Sequence, residues 1–582
     1  MIIALDTETT GLDAHKGARM FSFSTCTEDG NIRVYRLEGK RKGQYEKYLR
    51  DILYSGKHEV VFHNANFDLT MIAHTMGWRD VHRVVKFHDT YIQSWFFLPE
   101  HRTRGLKDLC FDLCGFKIDN DKRVRQIAKK TESYANVPSW VLNEYQANDA
   151  FRTMLLHKFF YPRIEHAAFK SIYDLELDLI RATIDMQNRG VMIHSGRCES
   201  LITFLKNEIS DIEKRVQERT GRKVNLRKPS DLRWMLYEFG KLPVLSLTKK
   251  TSQASTDKET LFALRDLEPS DLLENVLKFR SYDRGISTIK SYLDAKDSSD
   301  VIHPSINSCA AITGRESCSR PNLQNVAKST TLMNAYPIPV RKVFRHRPKT
   351  INVHIDYASI ELRLLVFYSR EQELIDCIAR GGDPHALAAE VFFGKSFLNL
   401  EGADRKAKRD AAKNANFAIA YGAGASRLQD ILGLSVDHAL DAYVRYASRW
   451  PKLCSLVRTL SRKAIDEGKI TSVFGTSIPI QKEKAYVATN YLIQHTAAVI
   501  LKYAQCRVDA LFRRWEFENC YLLLPIHDEI IMQWSRDRLP FLKQCLREIR
   551  QAMIDFPMFD VPVEIEISLA THDWERKEKY DL

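Results

Sequence analysis

Long apolar runs are missing from this 582-residue sequence, and none approaches the roughly 20 residues that a membrane-crossing helix needs. The opening MIIALDTETT lacks the basic start and apolar core of a secretory signal. Its eleven cysteines are scattered, and only Cys110 and Cys114 lie close together. Neither a zinc-type pairing nor a disulfide framework is drawn, so reduced thiols in a cytoplasmic protein are expected. Internal repeats and low-complexity tracts are also lacking, which excludes solenoid and fibrous classes. What is present is ordinary for a globular protein: 44% hydrophobic and 28% charged residues. The chain is too long for one core, and several domains are expected. A net charge of +13 favours a polyanionic partner.

Near the N-terminus, the apolar run Ile2 to Leu5 predicts a buried strand. It delivers Asp6 and Glu8, two residues apart, onto one face of its end. Like charges so placed repel unless a cation lies between them. A second strand, Glu59 to Phe62, leads into HNANFDLTMI, where Asp68 begins a helix. Tyr145 and Asp149 fall one helical turn apart in VLNEYQANDAF. Asp6, Glu8, Asp68 and Asp149 together could hold two magnesium ions roughly 4 Å apart, an arrangement suited to phosphodiester cleavage. Taken singly, each acid is more often a cap or a solvated charge. Asp89, in FHDTYIQSW, is assigned to capping the helix that follows it.

A second anion site is indicated in RDAAKNANFAIAYG, Arg409 to Gly422. This proline-free, alanine-rich stretch predicts a helix on which Arg409, Lys413, Phe417 and Tyr421 recur every four residues. Two cations at i,i+4 repel, so the pair makes sense if a triphosphate sits between them and the rings beyond stack on a base. A solvated basic face running into a core stripe is the other reading. INVHIDYASIELRLLVFYS reads as a strand entering a helix, with Asp356 at the junction. YLLLPIHDEIIMQW reads as two strands about a tight His527-Asp528-Glu529 turn. Two magnesium ions on Asp356 and Asp528 would supply the charge neutralisation that phosphoryl transfer needs.

These motifs, in this order and over nearly the whole chain, resemble the A-family DNA polymerases, the group of bacterial DNA polymerase I and many bacteriophage replicases. The resemblance implies a multidomain fold of mixed α/β and α+β class. An RNase H-like 3′→5′ exonuclease domain would occupy residues 1–165. A right-hand polymerase would follow, with the thumb at 166–300, the palm at 301–370 and 515–582, and the fingers at 371–514. It implies roles as well. In the exonuclease the four acids ligate metal, Tyr145 orients the attacking water, and Leu12 and Asn64 touch the frayed single-stranded 3′ end. In the palm, Asp356, the Tyr357 carbonyl and Asp528 hold metal, Glu529 is an auxiliary acid, and His527 sits by the primer terminus. Glu361 is the steric gate against a ribose 2′-hydroxyl, with a structural salt bridge as the alternative. His385, in GGDPHALAAEVF, joins Arg409 and Lys413 on the triphosphate. Phe417 packs on the sugar, and Tyr421 holds the templating-base position. Arg315, Asn322 and Gln324, in AITGRESCSRPNLQNVAKS, face the primer-side minor groove, and Asn490 and Gln494 the template side. Arg280, Arg284 and Lys290, on a predicted thumb helix, would grip duplex phosphates or remain ordinary solvated cations.

The implied cofactor is magnesium, two ions per active site, with manganese able to substitute. The implied partners are primer-template DNA, dNTPs and a single-stranded 3′ end. No segment identifies a replisome partner such as a helicase or a single-strand binding protein. Ser359 stands where polymerase I has glutamine, and Tyr486 where that group often carries arginine. VFGTSIPI lacks the arginine run that often follows Gly475. These departures bear on template grip and fidelity. Because the chain opens directly on the exonuclease motifs, no preceding 5′-nuclease is expected, an economy more like a bacteriophage replicase. Two other functions stay open: a nuclease with a DNA-binding platform, and a single-strand binding protein without turnover.

Overall fold

A computed structural model describes residues 1–100, 103–116, 120–248, 250–326, 336 and 338–582. The first domain is built on strands β1 (Ile2–Thr9), β2 (Met20–Thr27), β3 (Ile32–Arg36), β4 (Glu59–Phe62) and β5 (Phe87–Asp89). They lie in the order β3-β2-β1-β4-β5. The central β1 runs antiparallel to β2 and parallel to β4. Ile3, Ala4 and Leu5 are buried together because helices cover both faces of this strand. Those helices are α1 (Ala65–Met76) and α2 (Ser139–Ile164). The β1–β2 register shifts between Glu8 and Thr9, a bulge that ends regular pairing where the second acid sits.

The helix α3 (Lys170–Arg189) follows, and then α4 (Ser195–Thr220) and α5 (Asp271–Ala295), which pack along each other as a two-helix arm. The sequence division placed α3 with that arm. The structure instead wedges it between α1 and β5 on one side and a long later helix, α9 (Ala488–Trp515), on the other. Its near-continuous apolar burial, from Ile172 through Met186, reflects contact on two sides. Gly190 terminates α3 at φ 62°, and a Cβ there would lie 2.5 Å from the Ile302 carbonyl. Both the backbone angle and the close approach require glycine.

The second sheet is wholly antiparallel. β6 (Thr350–Tyr357) lies between β8 (Glu529–Ser535) and β9 (Ile565–Ala570), with β7 (Tyr521–Ile526) and β10 (Glu578–Lys579) at the edges. Here β6 feeds α6 (Ile360–Ser369), and α7 (Pro384–Phe393) packs against α8 (Gly402–Ala420). The sequence division places α9 with the fingers, whereas it packs under the sheet against α6, β7 and α10 (Leu539–Ile554). One core unites the arm, this sheet and the α7–α8 unit, and a second core belongs to the first domain. Among the described residues, no helix is long and apolar enough to cross a membrane.

Candidate active sites

In the first domain the predicted acids converge. Carboxylate oxygens of Asp6, Glu8 and Asp149 lie within 4.8 Å of one another, Asp6 and Glu8 coming from β1 and Asp149 from α2. Burial, then the charges of Asp149, Glu8 and Asp68, push the Asp6 carboxyl well above its usual range. Burial and Asp149 push Glu8 up to about 8. Buried acids that raise one another's pKa form a donor set that suits a hard divalent cation. Asp68 stands outside this group. Its Oδ1 accepts from Thr7 N at 3.2 Å and from Thr7 Oγ1 at 2.6 Å, and it acts on the others through its charge. Tyr145 is buried beside them, and burial followed by Asp149 raises its phenol far above the usual value, so it stays neutral. Leu12 is exposed, and Asn64 occupies a left-handed position at the start of α1.

Asp89 does more than cap one helix. Its carboxylate accepts from Tyr91 N at 2.8 Å, from Asn64 N at 3.0 Å and from Ala65 N at 2.8 Å, clamping two helix starts. Lys107, which sequence reading missed, pairs with Asp149 Oδ2 at 3.3 Å and lies 3.7 Å from the Tyr145 ring centroid. Nothing in its local pattern distinguishes it from a solvated cation.

In the second sheet, the two-residue turn between β7 and β8 holds His527, at φ 55°, and Asp528. Tyr357 N donates to Asp528 O at 3.2 Å, so Asp356 and Asp528 stand at neighbouring strand ends. Burial raises Asp528 despite the opposing charge of Arg315, and Glu361 raises it further. Two acids so placed fit an oxygen-liganded divalent ion. Glu529 is differently committed: His354 Nδ1 donates to it at 2.6 Å, and Lys577 pairs with it. Burial would raise this carboxyl, but the His354 bond and then Lys577 hold it at about 2. Strand register sets this expected auxiliary acid opposite Asp356, and the bond from His354, two residues back on β6, holds its carboxylate.

Glu361, on α6, accepts from Arg315 Nη2 at 2.6 Å and from Tyr421 OH at 2.8 Å. The structural salt bridge held open above is thus present here, with a tyrosine added. Arg315 and Gln324 line a cavity of about 40 Å³ with His527 and Asp528. Asn322 spends its side-chain oxygen on its own turn, accepting from Gln324 N and Asn325 N. Asn490 and Gln494 are half-buried one turn apart on α9. Arg280 is turned inward, donating to the Thr256 carbonyl, whereas Arg284 and Lys290 are exposed. Burial lowers the Arg280 pKa, and that inward bond takes its guanidinium away from a phosphate grip.

The helix expected from Arg409 begins earlier, at Gly402, and ends at Ala420, leaving Tyr421 at its cap. Arg409 makes a two-pronged ion pair with Asp383, which also caps α7 by accepting from His385 N at 3.0 Å. An aspartate just before Pro384 and a helical run is a cap signature legible in the sequence. His385 is 2% exposed, and neither ring nitrogen has a partner. Burial, then Lys413, lower it to about 4. Lys413 is exposed, and the Phe417 ring lies 5.9 Å from those of His385 and Tyr421. Tyr486 is exposed, and its backbone crosses close to Gly422.

The structure thus holds two acidic sites, a pocket of three carboxylates in the first domain and a turn in the second sheet that Glu361 links to the end of the cationic helix α8. The sequence model described as DNA polymerase family A matches residues 195–576, and the one described as 3'-5' exonuclease matches residues 2–165. The chain belongs to the family A DNA polymerases. It is 26% identical over 583 residues to DNA polymerase I of Treponema pallidum, covering 98% of this chain and 56% of that one. DNA polymerase I of Pseudomonas aeruginosa is 25% identical over 597 residues, covering 98% and 63%. The thermostable DNA polymerase I of Thermus filiformis is 30% identical over 451 residues, covering 74% and 52%. The chain thus spans 52% to 63% of the length of these relatives. Among solved structures, the POL domain of Pol1 from M. smegmatis, in complex with DNA primer-template and dNTP, superposes with a TM-score of 0.81 at 22% identity. The match covers 98% of this chain and 95% of that one, and shows a shared fold.

Proposed function

We propose that this chain extends a primer 3′-hydroxyl with dNTPs under template direction and trims 3′ ends at the separate acidic pocket. Magnesium is the ion assigned to both sites, with manganese as a substitute. The observation that carries the reading is the way α8 meets the palm turn. Tyr421 at the end of α8 bonds Glu361, whose charge acts on Asp528, while Lys413 and Arg409 lie about two and three turns back along α8 and His385 beside it. The span suits a nucleoside triphosphate with its base toward Tyr421 and its phosphates toward the cations. A buried histidine with two unpartnered ring nitrogens is costly to leave dry, which argues for a polar ligand there.

Bound divalent ions would neutralise charge on the attacking and leaving oxygens. The chain's own groups do the rest. Lys413 and Arg409 offer charge-assisted donors to the phosphates. His385, held neutral by its burial, offers one donor and one acceptor. Glu361 and Tyr421 fill the space where a 2′-hydroxyl or a base would come. In the exonuclease pocket the neutral phenol of Tyr145 orients water beside the acids. The bacterial relatives named above lend no weight to a bacteriophage assignment, so the proposal is confined to the chemistry.

Primer extension with and without magnesium tests the reading. Extension of a recessed 3′ end supports it, degradation alone would leave a nuclease, and binding without turnover a single-strand binding protein. Asp528→Ala should abolish synthesis and spare degradation. Asp6→Ala with Glu8→Ala should do the reverse, and loss of both activities in either variant would contradict two independent sites.

A further inference from the structure

We propose that Lys107 is the resident counter-cation of the exonuclease pocket: it holds Asp149 and Tyr145 in place and releases Asp149 when a divalent ion binds. The inference rests on the editing reading above. Both oxygens of Asp149 are engaged. Arg152 Nη1 lies 2.6 Å from Oδ1, and Lys107 Nζ lies 3.3 Å from Oδ2. Arg152 is one turn along the same helix and its side chain is 2% exposed, so it is fixed. Lys107 comes from a different helix, Leu106–Cys114, and its side chain is 19% exposed. An ion seated among Asp6, Glu8 and Asp149 needs one of these oxygens, and the lysine, a point charge on a flexible stem, is the group able to leave.

The same ammonium sits 3.7 Å from the Tyr145 ring centroid, a cation–π contact that fixes the ring's face. Lys107 also opposes the mutual repulsion of Asp6 and Glu8. Without metal it therefore keeps the three carboxylates and the phenol assembled. With metal, ammonium and ion would repel across the same few ångströms, so each weakens the other's hold. The pocket stays preformed at the expense of affinity for the ion.

The test uses the full chain carrying Asp356→Ala and Asp528→Ala, so that only the exonuclease acids bind metal. Manganese affinity is measured by calorimetry, and melting with and without manganese by scanning fluorimetry. Lys107→Met should bind manganese about fivefold more tightly, the scale expected when one partly buried ion pair no longer competes. Its metal-free form should melt lower and gain more from manganese. Lys107→Arg, which keeps the charge, should bind no more tightly than the parent. Should Lys107→Met fold poorly by circular dichroism, Lys107→Gln takes its place with the same expectation. Unchanged or weaker binding in the neutral variants, the outcome of a merely structural lysine, would overturn the proposal while leaving the editing site intact. If Asp6→Ala with Glu8→Ala leaves manganese binding unaltered, the editing site itself is misplaced.

Discussion

At the scale of single residues, the second site depends on who holds whom. Glu361 is the hub, accepting from Arg315 and Tyr421 at once. Glu361→Ala would leave the half-buried Tyr421 hydroxyl without its acceptor, a loss of about 1–2 kcal/mol. It would also open the space a ribose 2′-hydroxyl would enter. Insertion of rNTP relative to dNTP should rise at least tenfold in single-turnover assays, and an unchanged ratio would remove Glu361 as the gate. A second prediction concerns acid. His157 and His495 are deeply buried, outside both sites, and burial lowers them to about 3 and about 4. A histidine whose folded pKa lies below its unfolded value of about 6.5 binds fewer protons when folded. Stability is therefore intact above pH 6.5 and falls as pH drops toward 4, on the order of 2 kcal/mol per histidine by pH 5. Raised acids such as Glu8 act in the opposite sense between pH 7 and pH 5, so the check is differential: against the parent, His495→Asn should remove this histidine's share of the acid destabilisation and shift the melting temperature at pH 5 upward relative to pH 7. The types and spacing of these residues were legible in sequence. Their bonds were not, because Glu361 lies far along the chain from Arg315 and Tyr421 and only the fold brings them into contact.

At the scale of elements, Asp383 joins two helices by capping α7 and anchoring Arg409 of α8. The pair is 38% exposed on both sides, so the ion pair itself adds little stability, and loss of the cap costs about 1 kcal/mol. Asp383→Ala should thus leave folding nearly unchanged while freeing the guanidinium. The expected result is a dNTP KM raised about three- to tenfold with exonuclease rates unaltered. A normal KM would show that Arg409 needs no anchor. Strands and helices were largely readable, because apolar runs and four-residue spacing are local signals. Their ends were less so: β1 runs four residues past Leu5 to Thr9, and α8 begins seven before Arg409. Pairing partners and helix contacts, which no local run encodes, carry each element past its apolar core.

At the scale of the molecule, the first domain is tied to the second sheet through α3 and α9. Lys502 on α9 pairs with Glu176 on α3, both side chains 2% exposed or less. Arg83 of the first domain reaches Asp185 on α3 and Asp509 on α9, at 2.6 and 2.8 Å. Removing one member of a buried pair strands the other charge, so Lys502→Met should cost about 3–5 kcal/mol. Lys502→Met with Glu176→Leu should recover most of that. Equal melting losses in the single and double variants would mean the pair does not hold the two domains together. The sequence division gave α3 to the thumb and α9 to the fingers. Neither helix announces by its own pattern that two bodies cover it, since burial on both sides looks like ordinary apolar content.

The sequence by itself determined the chemistry on offer: acids at strand ends, cations and rings at four-residue spacing, and their order along the chain. Strand alternation and helical period are properties of neighbouring residues, and so they survive without the fold. Only the tertiary structure decided that Asp68 bonds Thr7 outside the acid cluster, that His354 holds Glu529, and that Lys107 stands beside the acids of the first domain. Those outcomes depend on distances between residues remote in sequence and on how far each charge is withdrawn from water. Neither quantity exists until the chain has packed.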